Sequence, residues 1–145
     1  MAKNNYSALW MTGICVLIFI LQVIFPFITE IFKLTTSQAL IHPWTLITAI
    51  FLHGSITHLL YNIFALALFG TILEHNIGTK KFLLLFFSAG LFASLASIPF
   101  YNAVLGASGA IFGIIGALAI MKPKMVVWVY GAPMPMAVAA IIWAI

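Results

Sequence analysis

Long apolar runs separated by short polar stretches dominate the pattern of the chain. A helix needs roughly 20 apolar residues to cross a bilayer core about 30 Å thick. The pattern therefore predicts an all-α fold, a polytopic transmembrane helical bundle with five spans. The predicted spans run from about Leu9 to Ile28, Ser55 to Leu73, Phe82 to Ile98, Gly106 to Met121, and from Met125 to the last residue, Ile145.

The composition agrees with a membrane solvent. Hydrophobic residues make up 65% of the chain and charged residues only 6%, whereas a soluble domain carries about 25% charged residues. So few charges cannot cover a water-facing surface. The six lysines are scattered and form no basic face, which excludes a nucleic-acid partner. The single cysteine, Cys15, lies in an apolar run and is expected to pack in the core.

The segment from Glu30 to His53 mixes polar and apolar residues, and it predicts a long loop at the membrane surface with Trp44 as an interfacial anchor. If the spans alternate, only Lys33 falls on the side of this loop. Five lysines fall on the other side: Lys3, Lys80, Lys81, Lys122 and Lys124. Positive charge concentrates on the cytoplasmic side of membrane proteins, so we expect a multi-pass protein of the cell membrane with a cytoplasmic N-terminus.

The fourth predicted span is short. Sixteen residues give roughly 24 Å of helix, about 6 Å less than the bilayer core. Lys122 and Lys124 hold one end at the surface, so the other end should begin inside the bilayer. Irregular backbone at that depth is tolerated only within protein or beside water. We therefore expect a water-filled cavity that opens outward.

Polar residues enter the second span at His53, His58 and Asn62. His58 and Asn62 are four residues apart and therefore share one helical face. Polar groups within a span are costly and mark candidate functional sites. They also serve as hydrogen-bonding glue between helices, and the spacing leaves both interpretations open.

The fourth span opens with Gly106-Ala107-Ser108-Gly109, followed by Gly113. Gly109 and Gly113 form a GxxxG face, which lets helices approach closely, and the spacing alone favours packing. Ser108 differs because it is expected in the first turn. Unpaired N–H groups and the positive end of the helix dipole meet there, so a nucleophile would have an oxyanion site at hand.

Taken together, these segments resemble the rhomboid family of intramembrane serine proteases over nearly the whole chain. The resemblance implies a single rhomboid-like transmembrane domain over residues 1–145, with five of an expected six spans. It implies Ser108 as the nucleophile, in the GxSGxxxG segment of the fourth helix. It also implies an oxyanion site formed by His58, Asn62 and the Ser108 backbone. Supporting positions are Gly106, Gly109, Gly113, His53 and Glu74.

The implied function is a serine endopeptidase that cleaves peptide bonds in or near transmembrane helices of membrane-protein substrates, with no metal or cofactor. Two features depart from the family. Its general base is a histidine on the sixth helix, but no histidine follows His75, so we expect a domain that is incomplete at its C-terminus. Loss of the base costs on the order of 10⁶-fold in turnover, and these 145 residues alone should be nearly inactive. Trp44 is followed by Thr45 rather than the usual arginine, which should weaken loop anchoring.

Two other functions remain in view. One is a catalytically inactive rhomboid-like protein that binds transmembrane helices. The other is a small metal or ion transporter that uses His53, His58 and His75. The spacing disfavours the transporter because His53 and His58, five apart, share a face poorly, and His75 should lie at the opposite membrane side.

Overall fold

The computed structural model describes residues 6–129 and 131–144, and in that part of the chain it contains seven helices. They are α1 Ser7–Ile24, α2 Phe27–Phe32, α3 Thr45–Thr48, α4 Ile56–Ile77, α5 Thr79–Ser97, α6 Ser108–Met121 and α7 Met136–Ala144. Helices α1, α4 and α5 are long and apolar enough to cross a membrane, and α6 is apolar but has 14 residues. The all-α membrane bundle predicted from the sequence is confirmed.

The first four predicted spans are helices in the structure, and the helix ends differ from the predicted ends by at most four residues. Helix α1 ends before the predicted limit because Pro26 disfavours helical backbone at the residue before it, and Phe25 has φ −127° and ψ 82°. Helix α4 passes through a π-helical segment, Leu66–Gly70. It continues to Ile77, where Gly78 with φ +81° breaks the helix.

The segment predicted as a surface loop is folded and tied to the start of α6. Strand β1, Leu34–Thr35, pairs antiparallel with strand β2, Ala103–Val104. Beside the strands, the Thr36 N–H donates to the Asn102 carbonyl at 3.1 Å. The Gly106 N–H donates to the Ala49 carbonyl at 2.8 Å. These bonds fix the backbone that leads into α6.

The prediction of a fifth helical span from Met125 is wrong. Strand β3, Val126–Val129, pairs with strand β4, Ala132–Pro135, and the nine-residue α7 begins only after this hairpin. The valines favour a strand, and Gly131 with φ +81° suits the turn. Pro133 and Pro135 lack the N–H that a helix interior needs. Ile145, the predicted end of the span, lies outside the described residues.

Helices α5 and α6 pack closely because glycine removes side chains from their contact. A Cβ at Gly109 would overlap that of Ala93, and one at Gly113 would overlap that of Ala89. The packing interpretation of the GxxxG face is therefore correct for these two glycines. Around this contact lies a core whose largest buried members include Phe69, Phe82, Phe86, Ile114 and Leu118.

Consecutive long helices alternate in direction. One end of the bundle therefore contains the last residues of α4 and α6 and the first residues of α1 and α5. We call it the lysine end, because it carries four exposed lysines: Lys80, Lys81, Lys122 and Lys124. Lys33 lies in the loop at the opposite end, in an ion pair with Glu30 at 2.7 Å. Lys3 lies outside the described residues. The described lysines are thus divided as the sequence predicts.

Candidate functional site

Ser108 is the first residue of α6, and its side chain is exposed. The buried Ala107 precedes it and accepts the Ile111 N–H at 3.0 Å, which sets the first turn of the helix. The first N–H groups of a helix have no partner within it, and the helix dipole makes this end positive. The Ser108 hydroxyl therefore lies where a developing negative charge would be stabilised.

A cavity of about 200 Å³ joins Ser108 of α6 to His58 and Asn62 of α4. The structure thus brings together the three residues expected at the reacting centre. The sequence reasoning did not identify the rest of the lining. Tyr61, Ala65, Ile111 and Phe112 complete it. Each lies three or four residues after His58, Asn62 or Ser108 on the same helix, and this spacing was the signal that could have found them.

His58 lies in the first turn of α4. Its N–H donates to the side chain of Ser55, the N-cap residue, at 3.1 Å. The imidazole packs against the backbone of Gly106, which has φ +121°. A Cβ at Gly106 would lie 2.6 Å from the His58 Cε1 and 2.8 Å from its Nε2. Position 106 therefore requires glycine both for its backbone conformation and for the approach of the imidazole.

Asn62 lies one turn further along α4 and is 6% exposed. Its Nδ2 donates to the His58 carbonyl at 2.7 Å, and within the described residues it has no hydrogen bond to another helix. The amide is therefore held by its own helix rather than serving as glue between helices. Its Nδ2 carries a second hydrogen, which remains available for a group in the cavity.

His53 lies behind the cavity and is 2% exposed. Its ring meets that of His58 edge-on, with the ring centroids 5.2 Å apart. Gln22 of α1 pairs with the His53 backbone: the His53 N–H donates to Gln22 Oε1 at 3.0 Å, and Gln22 Nε2 donates to the His53 carbonyl at 3.2 Å. Nε2 also donates to Thr29 Oγ1 at 2.9 Å. Gln22 was missed, although a lone glutamine in an apolar span was a usable signal.

Burial, with a smaller contribution from the charge of His58, lowers the pKa of His53 to about 4. His53 is therefore uncharged near neutral pH. It packs against His58 as a neutral ring. His75 lies at the lysine end of α4, and the described residues contain no group of three or more metal-ligating side chains. The three histidines considered for a transporter do not converge.

Glu74 is fully buried at the lysine end of α4 and is not part of the cavity lining. Its Oε1 accepts the Ser7 N–H at 3.1 Å and the Thr79 hydroxyl at 2.7 Å, and its Oε2 accepts the Ala8 N–H at 2.9 Å. It thereby satisfies donors at the starts of two helices, α1 and α5. Gly109 and Gly113 also lie away from the cavity, against α5. These three residues hold the bundle together rather than touch the reacting centre.

The fold and the site define a polytopic helical membrane protein with a serine at the start of a helix, in one cavity with a histidine and an asparagine. The family model that describes the Rhomboid domain matches residues 41–145. The chain belongs to the rhomboid family.

Relatives from distant organisms match the chain over about half its length. Rhomboid protease GluP of Bacillus subtilis is 48% identical over 77 residues, which cover 52% of this chain and 15% of the relative. Rhomboid-like protease 3 of Toxoplasma gondii is 40% identical over 88 residues, which cover 59% of this chain and 32% of the relative. RHOMBOID-like protein 1 of Arabidopsis thaliana is 40% identical over 77 residues, or 52% and 20%. The chain spans less than half the length of each of these relatives.

Proposed function

We propose that the complete protein is an intramembrane serine endopeptidase that hydrolyses peptide bonds in or near transmembrane helices of its substrates. Membership of the rhomboid family and relatives named as proteases support a protease-type function. One observation carries the assignment to this site. The exposed Ser108 hydroxyl lies at the first turn of α6, in one cavity with His58 and Asn62.

In the proposed reaction, Ser108 Oγ attacks the scissile carbonyl carbon and an acyl-enzyme forms, which water later hydrolyses. Three groups would stabilise the oxyanion: the Ser108 backbone N–H, the second amide hydrogen of Asn62 and the His58 ring. The positive end of the α6 dipole adds to them. Each such donor is worth about 10²–10³ in turnover in serine proteases.

The reaction also needs a general base, and we assign this role to a histidine outside the 145 residues. His42 packs against Trp44 in the loop, the buried His53 ring is not part of the cavity lining, and His75 lies at the lysine end. The His58 ring packs against Gly106, which suits it to the oxyanion side of the cavity. A base worth on the order of 10⁶-fold in turnover cannot be offset by the oxyanion groups alone.

The substrates that fit this site are membrane proteins. We propose that a substrate helix enters from the bilayer and unwinds locally, so that an extended peptide reaches Ser108, with water supplied by the cavity. We also propose that the lysine end and the N-terminus face the cytoplasm of a cell membrane, since four lysines lie at that end. The cavity then opens towards the outer surface. No metal or cofactor takes part in the proposed reaction.

The test is labelling of the complete protein, in its own membrane, by a fluorophosphonate probe that forms an adduct only with an activated serine. The expected result is one adduct, mapped by peptide mass to Ser108, and none in Ser108→Ala. Ser88→Ala is the matched control because Ser88 is exposed on α5 and its hydroxyl bonds to the Leu85 carbonyl of its own helix. It should be labelled as the wild type is.

Absence of labelling in the folded wild-type protein would contradict an activated Ser108. It would favour the alternative function, an inactive rhomboid-like protein that binds transmembrane helices without cleaving them. The fold is expected to be the same in both cases. The labelling experiment therefore distinguishes chemistry from binding.

A further inference from the structure

The β3–β4 hairpin is apolar on both of its faces. Residues alternate between the faces of a strand, and Val127 and Val129 point inward, 5% and 4% exposed, into the bundle core. Val126 and Trp128 point outward and are 62% and 65% exposed. The residues paired with them across the hairpin, Pro135 and Pro133, are exposed as well. We call the four outward residues Val126, Trp128, Pro133 and Pro135 the outer face.

The outer face lies at the lysine end of the bundle. The hairpin connects the end of α6 to the start of α7, at the lysine end. Two bonds close its base: the Met136 N–H donates to the Met125 carbonyl at 2.7 Å, and the Ala137 N–H donates to the Pro123 carbonyl at 3.1 Å. Strands of four residues extend about 14 Å at most. With the lysine end at the bilayer surface, as proposed above, the outer face would lie within the depth of the headgroup layer or just above it.

The charges around the hairpin all have one sign. Lys122 and Lys124 directly precede it and are exposed, and Lys80 and Lys81 lie at the same end. The chain has two acids. Glu74 is buried in its hydrogen bonds at this end, and Glu30 pairs with Lys33 in the loop at the other end. An exposed apolar face beside unneutralised lysines is complementary to an anionic, partly apolar partner.

We propose that the outer face is a docking site for acidic phospholipids of the adjacent leaflet. Trp128 and Val126 would lie at the boundary between headgroups and acyl chains, the depth that tryptophan prefers. Lys122 and Lys124 would bind the lipid phosphates. Each lysine near an anionic surface is worth about fivefold in association. The hairpin thereby fixes the lysine end of α6 at the surface, which in turn sets the depth at which its other end begins.

The test uses the complete protein in liposomes, with every tryptophan except Trp128 changed to Phe, including Trp10, Trp44 and Trp143, so that Trp128 alone fluoresces. Lipids brominated in the acyl chain should quench Trp128. Brominated phosphatidylglycerol should compete for the site at least fivefold better than brominated phosphatidylcholine. Lys122→Gln with Lys124→Gln should remove the preference but keep the quenching. A protein with Trp44 as its only tryptophan is the control and should show no preference, because the lysine in its loop, Lys33, is paired with Glu30.

Three results would overturn the proposal. Quenching of Trp128 by aqueous iodide but not by brominated lipid would place the outer face in water. Protection from both quenchers would mean that protein covers it, either another segment or a second copy. An unchanged lipid preference in the Lys122→Gln, Lys124→Gln variant would contradict the proposed contacts between these lysines and lipid phosphates.

A second measurement applies if the single-tryptophan variant does not fold. A nitroxide at Val126→Cys, in a background without other cysteines and with Cys15→Ala, should be more accessible to oxygen than to an aqueous nickel chelate. Asn76→Cys, an exposed position at the same end, should show the opposite order. Equal accessibility patterns at the two positions would also overturn the proposal.

Discussion

Glu74 offers the sharpest stability prediction, because one buried carboxylate satisfies donors at the starts of two helices. Glu74→Ala would leave at least three donors without their acceptor, among them the backbone N–H groups of Ser7 and Ala8 and the Thr79 hydroxyl. Each buried donor left unsatisfied costs about 1–3 kcal/mol, although the Thr79 hydroxyl can rotate to another partner. We therefore expect Glu74→Ala to lower the free energy of unfolding by about 3–5 kcal/mol.

Two further variants separate the contributions of the individual hydrogen bonds to this loss of stability. Thr79→Ala removes one donor together with its bond and should cost about 1 kcal/mol. Glu74→Gln keeps one acceptor oxygen but turns an N–H group towards a backbone donor, so it should fall between Thr79→Ala and Glu74→Ala. The matched control is Glu30→Ala, at a side chain that is 69% exposed in an ion pair. Exposed ion pairs contribute about 0–1 kcal/mol.

The assay is reversible unfolding of the purified protein in mixed micelles, titrated with a denaturing detergent and followed by tryptophan fluorescence and helical circular dichroism. A loss of stability for Glu74→Ala no larger than that for Glu30→Ala would refute the reasoning. It would mean that water reaches the donors or that the three bonds do not form together.

Three further predictions use the same assay. Gly113→Val should destabilise the bundle by about 1–3 kcal/mol because the added side chain meets Ala89. Gly116→Ala should be neutral or stabilising by up to about 1 kcal/mol because no atom lies within 4 Å of the added Cβ. Equal effects of the two substitutions would contradict the packing account. Gln22→Leu should cost about 2–4 kcal/mol because it leaves the backbone N–H and carbonyl of His53 unpaired, and a neutral result would show that other groups satisfy them. Since burial lowers the pKa of His53 to about 4 from 6.5, the unfolded chain binds more protons between these values, and the free energy of unfolding should fall as the pH drops from about 6.5 to 4. His53→Leu should reduce this slope, and an identical slope would contradict a buried neutral ring.

The long apolar helices could be predicted closely because their length is set by the bilayer. Helices α1, α4, α5 and α6 coincide with predicted spans, and Ser108 lies in the first turn of α6 as expected. Local chemistry decided the fifth span. Pro133, Pro135 and the valines of β3 outweighed the apolar composition, which is compatible with a hairpin as well as with a helix.

Contacts between distant residues could not be predicted from one sequence. Glu74 meets Ser7 across 67 positions, and Gln22 meets His53 across 31. The pairing of β1 with β2 is equally distant, and two-residue strands leave no periodic pattern to detect. The polar side chain of Gln22 within an apolar span could have drawn attention to this residue, but nothing in the sequence identified its partner.

Cleavage by the complete protein tests the central proposal most directly. The protein would be reconstituted in liposomes with a membrane-anchored reporter, and product formation would be measured for the wild type, Ser108→Ala and Ser88→Ala. We expect cleavage by the wild type and by Ser88→Ala, and a loss on the order of 10⁶-fold, down to background, in Ser108→Ala. A Ser108→Ala protein that still cleaves the reporter at the wild-type rate would contradict the assignment of Ser108 as the nucleophile.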